Sequence, residues 1–262
     1  MKKIKTILLK EWAEVFKNRV VVLTTAFLPL FFAVLPLIIL TATQDLGTAG
    51  AMDEVPEQMR ALCPPGSSPT ECIPIFFVSQ FNMLFMMLPL IIPVNIAAQS
   101  IVGEKTLRSL EPLLATPITT AQLLIGKNLA ATVPAVLATW AGFGVFVAGA
   151  GFIAHSSEAV EALLAPAWLF GIFAVGPLLA VLSVNFSLLV SSQVNDARVA
   201  EQISALVVLP ITALFIGQLA GAVLIDRSII LVMGALVALA DVGLLLLTVR
   251  LFQRETILTR WK

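Results

Sequence analysis

The run Ile229–Leu251, IILVMGALVALADVGLLLLTVRL, decides the fold. Apolar residues fill it almost without interruption, and only Asp241 and Arg250 are charged. A hydrocarbon core about 30 Å thick needs about 20 such residues in a helix, so the run reads as a membrane span. Five more runs of this kind precede it: Val20–Ala42, Ile75–Ala98, Leu129–Ile153, Trp168–Val190 and Val199–Leu219. Prolines fall inside the first (Pro29, Pro36), second (Pro89, Pro93), fourth (Pro177) and fifth (Pro210). Spans tolerate proline where neighbours satisfy the freed carbonyl, so these positions predict kinks rather than strands. A barrel would need alternating segments of about ten residues, and none of the runs alternates. The expected fold is an all-α membrane protein with six transmembrane helices.

Composition points the same way. Of 262 residues, 59% are hydrophobic and 12% charged, and mean hydropathy is +1.00. Soluble domains hold roughly 45–50% and about 25%, and one of this composition would be left with large exposed apolar patches. Disorder would need low hydrophobicity and high net charge. Net charge is zero, which implies no general attraction to nucleic acid.

The positions of the charges set the orientation. Lys2, Lys3, Lys5, Lys10, Lys17 and Arg19 precede the first span, and Lys105, Arg108 and Lys127 lie between the second and third. Arg198 follows the fourth, and Arg250, Arg254, Arg260 and Lys262 close the chain. Only Arg60 and Arg227 fall on the opposite side, which instead carries Asp45, Asp53, Glu54, Glu57, Glu71, Glu158 and Glu161. Both termini are therefore expected in the cytoplasm, in a multi-pass protein of the cell membrane. The polar stretch ahead of the first run, and that run's length, argue against a cleavable signal peptide.

Residues 1–19, MKKIKTILLKEWAEVFKNR, place Ile4, Ile7, Leu8, Trp12, Val15 and Phe16 at helical spacing among lysines and glutamates. This predicts an amphipathic helix in the headgroup region; the plainer alternative is a basic topogenic tail. Residues 20–262 form the six-helix transmembrane domain. Its large outer loop, 43–74, contains the only cysteines, Cys63 and Cys72, which enclose eight residues of Pro-, Gly- and Ser-rich turn sequence. On an oxidising face that spacing permits a structural disulfide, the alternative being two free thiols.

Polar residues inside the spans are candidates for a translocation path: Asn82 and Asn95 in the second, Asn185 in the fourth and Asp241 in the sixth. An intramembrane carboxylate marks a functional site by default. Its structural alternative is a hydrogen-bonded acid that joins helices, for instance to Asn185. A cation held within the spans would want several oxygen ligands, and Asp241, Asn185 and Asn82 are the one plausible set. Catalytic and metal-binding constellations are missing, and Gly126-Lys127-Asn128 lacks the Ser or Thr and the earlier glycine of a phosphate loop. ATP, if used, belongs to another chain.

Between the second and third spans lies IVGEKTLRSLEPLLATPITTAQLLIGKN, Ile101–Asn128. Leu107, Leu110, Leu113 and Leu114 form an apolar stripe, while Pro112 and Pro117 bound short helical pieces. The element is larger than a connection requires. It reads either as an interfacial helix or as a knob that docks in a partner's groove.

Here the chain resembles the membrane subunits of type-2 ABC exporters. The residues that carry the likeness are Gly103-Glu104-Lys105-Thr106-Leu107, then Leu110-Glu111-Pro112-Leu113-Leu114-Ala115-Thr116-Pro117, then Leu124-Ile125-Gly126-Lys127. Arg108-Ser109 departs from the Gly-Thr pair of many members. The resemblance implies a permease without enzymatic activity, paired with a second permease chain and seated on two ATP-binding cassette subunits that hold ATP and magnesium. It implies a coupling helix at 103–117, docking through Gly103, Glu104, Lys105, Thr106, Leu107, Leu110, Glu111, Pro112, Leu113 and Leu114. It also implies a re-entrant outer hairpin near Gln218–Ser228. Members of this kind move sodium, drugs or peptides, or lipids. The rival readings are a stand-alone secondary transporter, for which an inverted repeat would be expected, and a non-transporting membrane scaffold.

Overall fold

The computed structural model describes residues 2–47, 69–106, 118–153, 157–223 and 225–251. Among these there is no strand, and six stretches are long and apolar enough to cross a membrane. A short amphipathic helix, α1 (Lys2–Lys17), turns at Asn18 into α2 (Arg19–Gly47), the first span. The second span is α3 (Pro69–Thr106) and the third is α4 (Thr120–Ile153). A short helix, α5 (Ser157–Leu163), leads into the fourth span, built from α6 (Pro166–Phe170), a π-helical turn (Gly171–Val175) and α7 (Gly176–Gln193). The fifth runs through α8 (Ala197–Ser204), a 3₁₀ turn (Ala205–Val208) and α9 (Leu209–Leu219), and the sixth is α10 (Arg227–Leu251).

The helices extend beyond the apolar runs read from sequence. α4 starts nine residues before Leu129, so Lys127 lies within a helix and not in a loop. α2 continues to Gly47 and α3 begins at Pro69, which trims the expected outer loop 43–74 at both ends. The last and first turns around Gln218–Ser228 enclose a tight turn in which Gly221 takes φ 69°, a backbone conformation that favours glycine.

α3 is the most buried span and the centre of the bundle. It runs parallel to α7, and the two are held in register by side chain to backbone bonds. Ser183 donates to the Leu90 carbonyl (2.6 Å) and Ser191 to the Ala98 carbonyl (2.7 Å). Ser183, Ser187 and Ser191 recur every four residues and are fully buried, and such small residues let two backbones approach closely. α2 lies against α4 through another small residue: a Cβ on Gly142 would stand 2.9 Å from the Pro29 carbonyl oxygen. Phe85 stacks on Phe146, both fully buried, between α3 and α4.

The prolines act as their chemistry requires. Pro29, Pro36 and Pro134 sit inside continuous helices. Pro177 lies just after the π turn, where the Gly176 N–H donates to the Gly171 carbonyl five residues back. In that register the Ile172 carbonyl would need the N–H of residue 177, which proline lacks. The Trp140 indole N–H donates to it instead, at 3.2 Å from the facing helix α4. Pro210 follows the 3₁₀ turn, whose tighter winding lets the Leu209 N–H satisfy the Leu206 carbonyl.

Candidate functional site

The last turn of α3 and the start of α4 flank the segment 107–117, and α1 packs beside both. Its docked face comprises Ile4, Ile7, Leu8, Glu11, Trp12 and Val15, so an acid stands in the middle of an apolar stripe. Ile7 sits over Gly126, where a Cβ would come within 2.8 Å of the isoleucine side chain. The Trp12 indole N–H donates to the Ala130 carbonyl (3.1 Å). Leu9 and Phe16 remain exposed.

Glu11 is buried because it has a cation to meet. Lys127, its side chain 1% exposed, places Nζ 3.0 Å from Glu11 Oε1 and 3.0 Å from Glu104 Oε1. The same ammonium donates to Ser100 Oγ (2.8 Å) and to the Ser100 carbonyl (3.2 Å). Ser100 Oγ in turn donates to Glu11 Oε2 (3.3 Å). Three ammonium protons thus face four acceptors, a saturation that makes the buried charge tolerable. Lys10 joins from the rim, 3.1 Å from Glu104, 3.6 Å from Glu14 and 3.9 Å from Glu11. Partial burial pushes the Lys10 ammonium down, but Glu104, then Glu11 and Glu14, outweigh it and hold its pKa above the usual lysine value. The cluster therefore ties together α1, the end of α3 and the base of α4. A polar hollow of about 240 Å³ opens beside it, lined by Lys10, Glu14, Asn18, Asn95, Gln99 and Gly103.

Lys127 has a neighbour with a separate task. Asn128, about 100° further round α4, donates to Asn185 Oδ1 (2.9 Å) and accepts from Thr132 (3.1 Å). Asn185 donates to Asp241 Oδ1 (3.4 Å), which completes a buried polar thread across α4, α7 and α10. The second Asp241 oxygen has no hydrogen-bond partner among the described residues.

The residues singled out from sequence are distributed as follows. Asn185 and Asp241 meet. Asn82 donates to the Leu163 carbonyl (3.3 Å) instead. The α3–α7 register, in which Ser183 faces Leu90, puts Asn185 level with position 92, so Asn82 lies about 15 Å away along α3. Asn95 is half-buried and lines both the polar hollow and a second one against α8. Gly103 and Glu104 are in the last turns of α3, where the Thr106 hydroxyl donates to the Gly103 carbonyl (2.9 Å). Lys105 is in the same turn. Leu107, Leu110, Glu111, Pro112, Leu113 and Leu114 lie outside the described residues, as do Cys63 and the side chain of Cys72. Sequence reasoning missed Glu11 and the pairing role of Lys127. The signals were a glutamate interrupting the α1 stripe and a lysine inside the Gly126-Lys127 pair.

Among the described residues no group of His, Cys, Asp and Glu is arranged to hold a metal ion. No curated protein matches the chain. A family model described as ABC-2 family transporter protein matches residues 5–252, which takes in α1 from Lys5 onward, the ion cluster, the polar thread and every span. A multi-pass membrane protein of six spans, the chain belongs to the ABC-2 family of transporter permeases.

Proposed function

We propose that the chain is the permease subunit of an ABC exporter, forming the translocation path with a second permease chain and driven by two separate ATPase subunits. Both termini and the segment 103–117 face the cytoplasm, where Leu107, Leu110, Glu111, Pro112, Leu113 and Leu114 dock in a groove of the ATPase. ATP and magnesium bind there, and this chain carries out no covalent chemistry. Family membership supports the reading, since ABC-2 permeases work with an ATPase subunit.

The observation that carries the coupling step is the Glu11–Lys127–Glu104 cluster at the base of that segment. A loop pushed at its tip moves its membrane helices only if its two ends move together. Lys127 clasps the end of α3 to the start of α4 and adds α1, which leads directly into α2. Displacement of the docked segment would then shift α1 to α4 as one body, while the thread through Asn128, Asn185 and Asp241 relays it to α7 and α10. Co-purification with the ATPase encoded beside the chain tests the docking. The wild type is expected to bring down an assembly with two ATPase copies that hydrolyses ATP in lipid nanodiscs. Glu111→Arg with Leu114→Arg is expected to fold but lose both. If this variant still binds and supports hydrolysis, the segment does not dock.

A further inference from the structure

The fifth span begins in a short helix set apart from its neighbours. α8 follows a link in which Val194 and Asp196 take extended backbone, and the Asp196 carboxylate starts the new helix by accepting from the Arg198 N–H (2.7 Å). It ends in the 3₁₀ turn ahead of Pro210. Its eight residues cannot hold a helix by themselves, since isolated helices shorter than about 12–15 residues are marginal. α3 sets its place. The facing surfaces are small: Ala200, with Ala197 beside it, rests on Ala98 and Val102. One turn further, Ser204 is fully buried, yet its hydroxyl has no hydrogen-bond partner among the described residues. The one side-chain bond between α8 and α3 among those residues runs from the Gln99 amide N–H to the Glu201 carboxylate, 2.6 Å. A carboxylate acceptor makes a shorter and stronger bond than a neutral one. This bond also stands between two hollows. Gln99 lines the polar one of about 240 Å³ beside the ion cluster, and Glu201 lines one of about 450 Å³ that reaches to Val208. Asn95, one turn from Gln99 on the same side of α3, lines both. The residue after Gln99 is Ser100, whose hydroxyl and carbonyl accept from Lys127, so the cluster fixes the turn that carries the bond.

We propose that Gln99 and Glu201 form a latch. Closed, it keeps α8 on α3 and the two hollows apart. Released, it lets α8 swing about the 3₁₀ turn, and the hollows join at Asn95 into one cleft that runs from Lys10 to Val208. Short 3₁₀ stretches inside a helix often mark hinges. The alanine contact resists such a movement little, because no large side chain interlocks across it. The latch lies within this chain and does not rest on the docking reading.

The test uses the full chain alone in lipid nanodiscs, with amide hydrogen exchange read by mass spectrometry. Gln99→Glu sets two carboxylates against each other and is expected to speed exchange over 198–204 about tenfold, with α7 unchanged. Adding Glu201→Gln exchanges donor and acceptor, remakes the bond and is expected to return exchange to within about twofold of wild type. Spin labels at Val199 on α8 and Leu129 on α4, both exposed, separate a swing from local melting in a chain with Cys63 and Cys72 replaced by serine. Gln99→Glu is expected to add a second, discrete distance between them. If the serine chain does not fold, hydrogen exchange in the chain with its native cysteines still decides. Exchange over 198–204 that is unchanged in Gln99→Glu, or not restored by the swap, overturns the latch. A single distance that only broadens overturns the swing.

Discussion

Replacing Lys127 with methionine keeps the apolar stem but for its last atom and removes the charge that three elements share. At 3.0 Å and an effective dielectric of about 20, each carboxylate contact contributes about 5 kcal/mol of attraction, most of it offset by desolvation of the ions. The variant recovers little of that desolvation, because Glu11 and Glu104 stay buried, at 9% and 8% side-chain exposure, with Ser100 left between them. Breaking a buried pair in this way costs about 3–5 kcal/mol. Lys10, still 3.1 Å from Glu104 but 42% exposed, compensates in part and sets the expected loss near 3 kcal/mol. Reversible unfolding in mixed micelles measures it, and limited proteolysis of α1 reports where the structure opens. Lys127→Met combined with Glu104→Gln is expected to be more stable than the sum of the two single losses by at least about 1 kcal/mol. A loss below about 1 kcal/mol for Lys127→Met, the worth of a surface bridge, would refute the claim that this cluster clamps the helices.

Further outcomes follow from other contacts. Gly126→Ala is expected to be relieved by Ile7→Ala, because the clash is with a side chain, whereas Gly142→Ala meets the Pro29 backbone and is expected to cost about 1–3 kcal/mol with no such rescue; thermal unfolding of the four variants checks this. Asp241→Asn preserves the bond from Asn185 through its amide oxygen and is expected to express normally. Asp241→Leu strips a buried amide of its acceptor and is expected to lose about 1–3 kcal/mol, read as lower yield and melting temperature. The raised pKa of Lys10 means that its stabilising charge is fully present below pH 10.5 and is lost as pH climbs through the higher folded value. The stability gap between wild type and Lys10→Met should therefore stay constant from pH 7 to 10 and close above about 10.5; a gap that already closes below pH 9 would contradict the assignment.

Six spans were legible because length and apolarity alone determine what crosses a bilayer, and the stripe in residues 1–19 was legible as a helix. What sequence does not reveal is which face of one helix meets which face of another. Lys127 looks like any positive charge near a span end until α4 is found to begin at Thr120, and its partners Glu11 and Glu104 lie far away in the chain. The link between Asp241 and Asn185 was one of two alternatives, and choosing between them needed the packing of α10 on α7. The π turn was hidden for a different reason. Pro177 announces a disturbed helix, but only Trp140, on a facing span, determines how the orphaned carbonyl is satisfied.

The central claim is that the buried cluster transmits what the ATPase does to the spans, and charge exchange within it tests that most directly. In nanodiscs holding the assembled ATPase and permease, Lys127→Glu is expected to leave the ATPase bound but abolish the permease-dependent part of ATP hydrolysis. Adding Glu104→Lys restores one opposite-charge pair across the same gap and is expected to recover a substantial part of that hydrolysis. Wild-type hydrolysis by a correctly folded Lys127→Glu assembly would contradict the account.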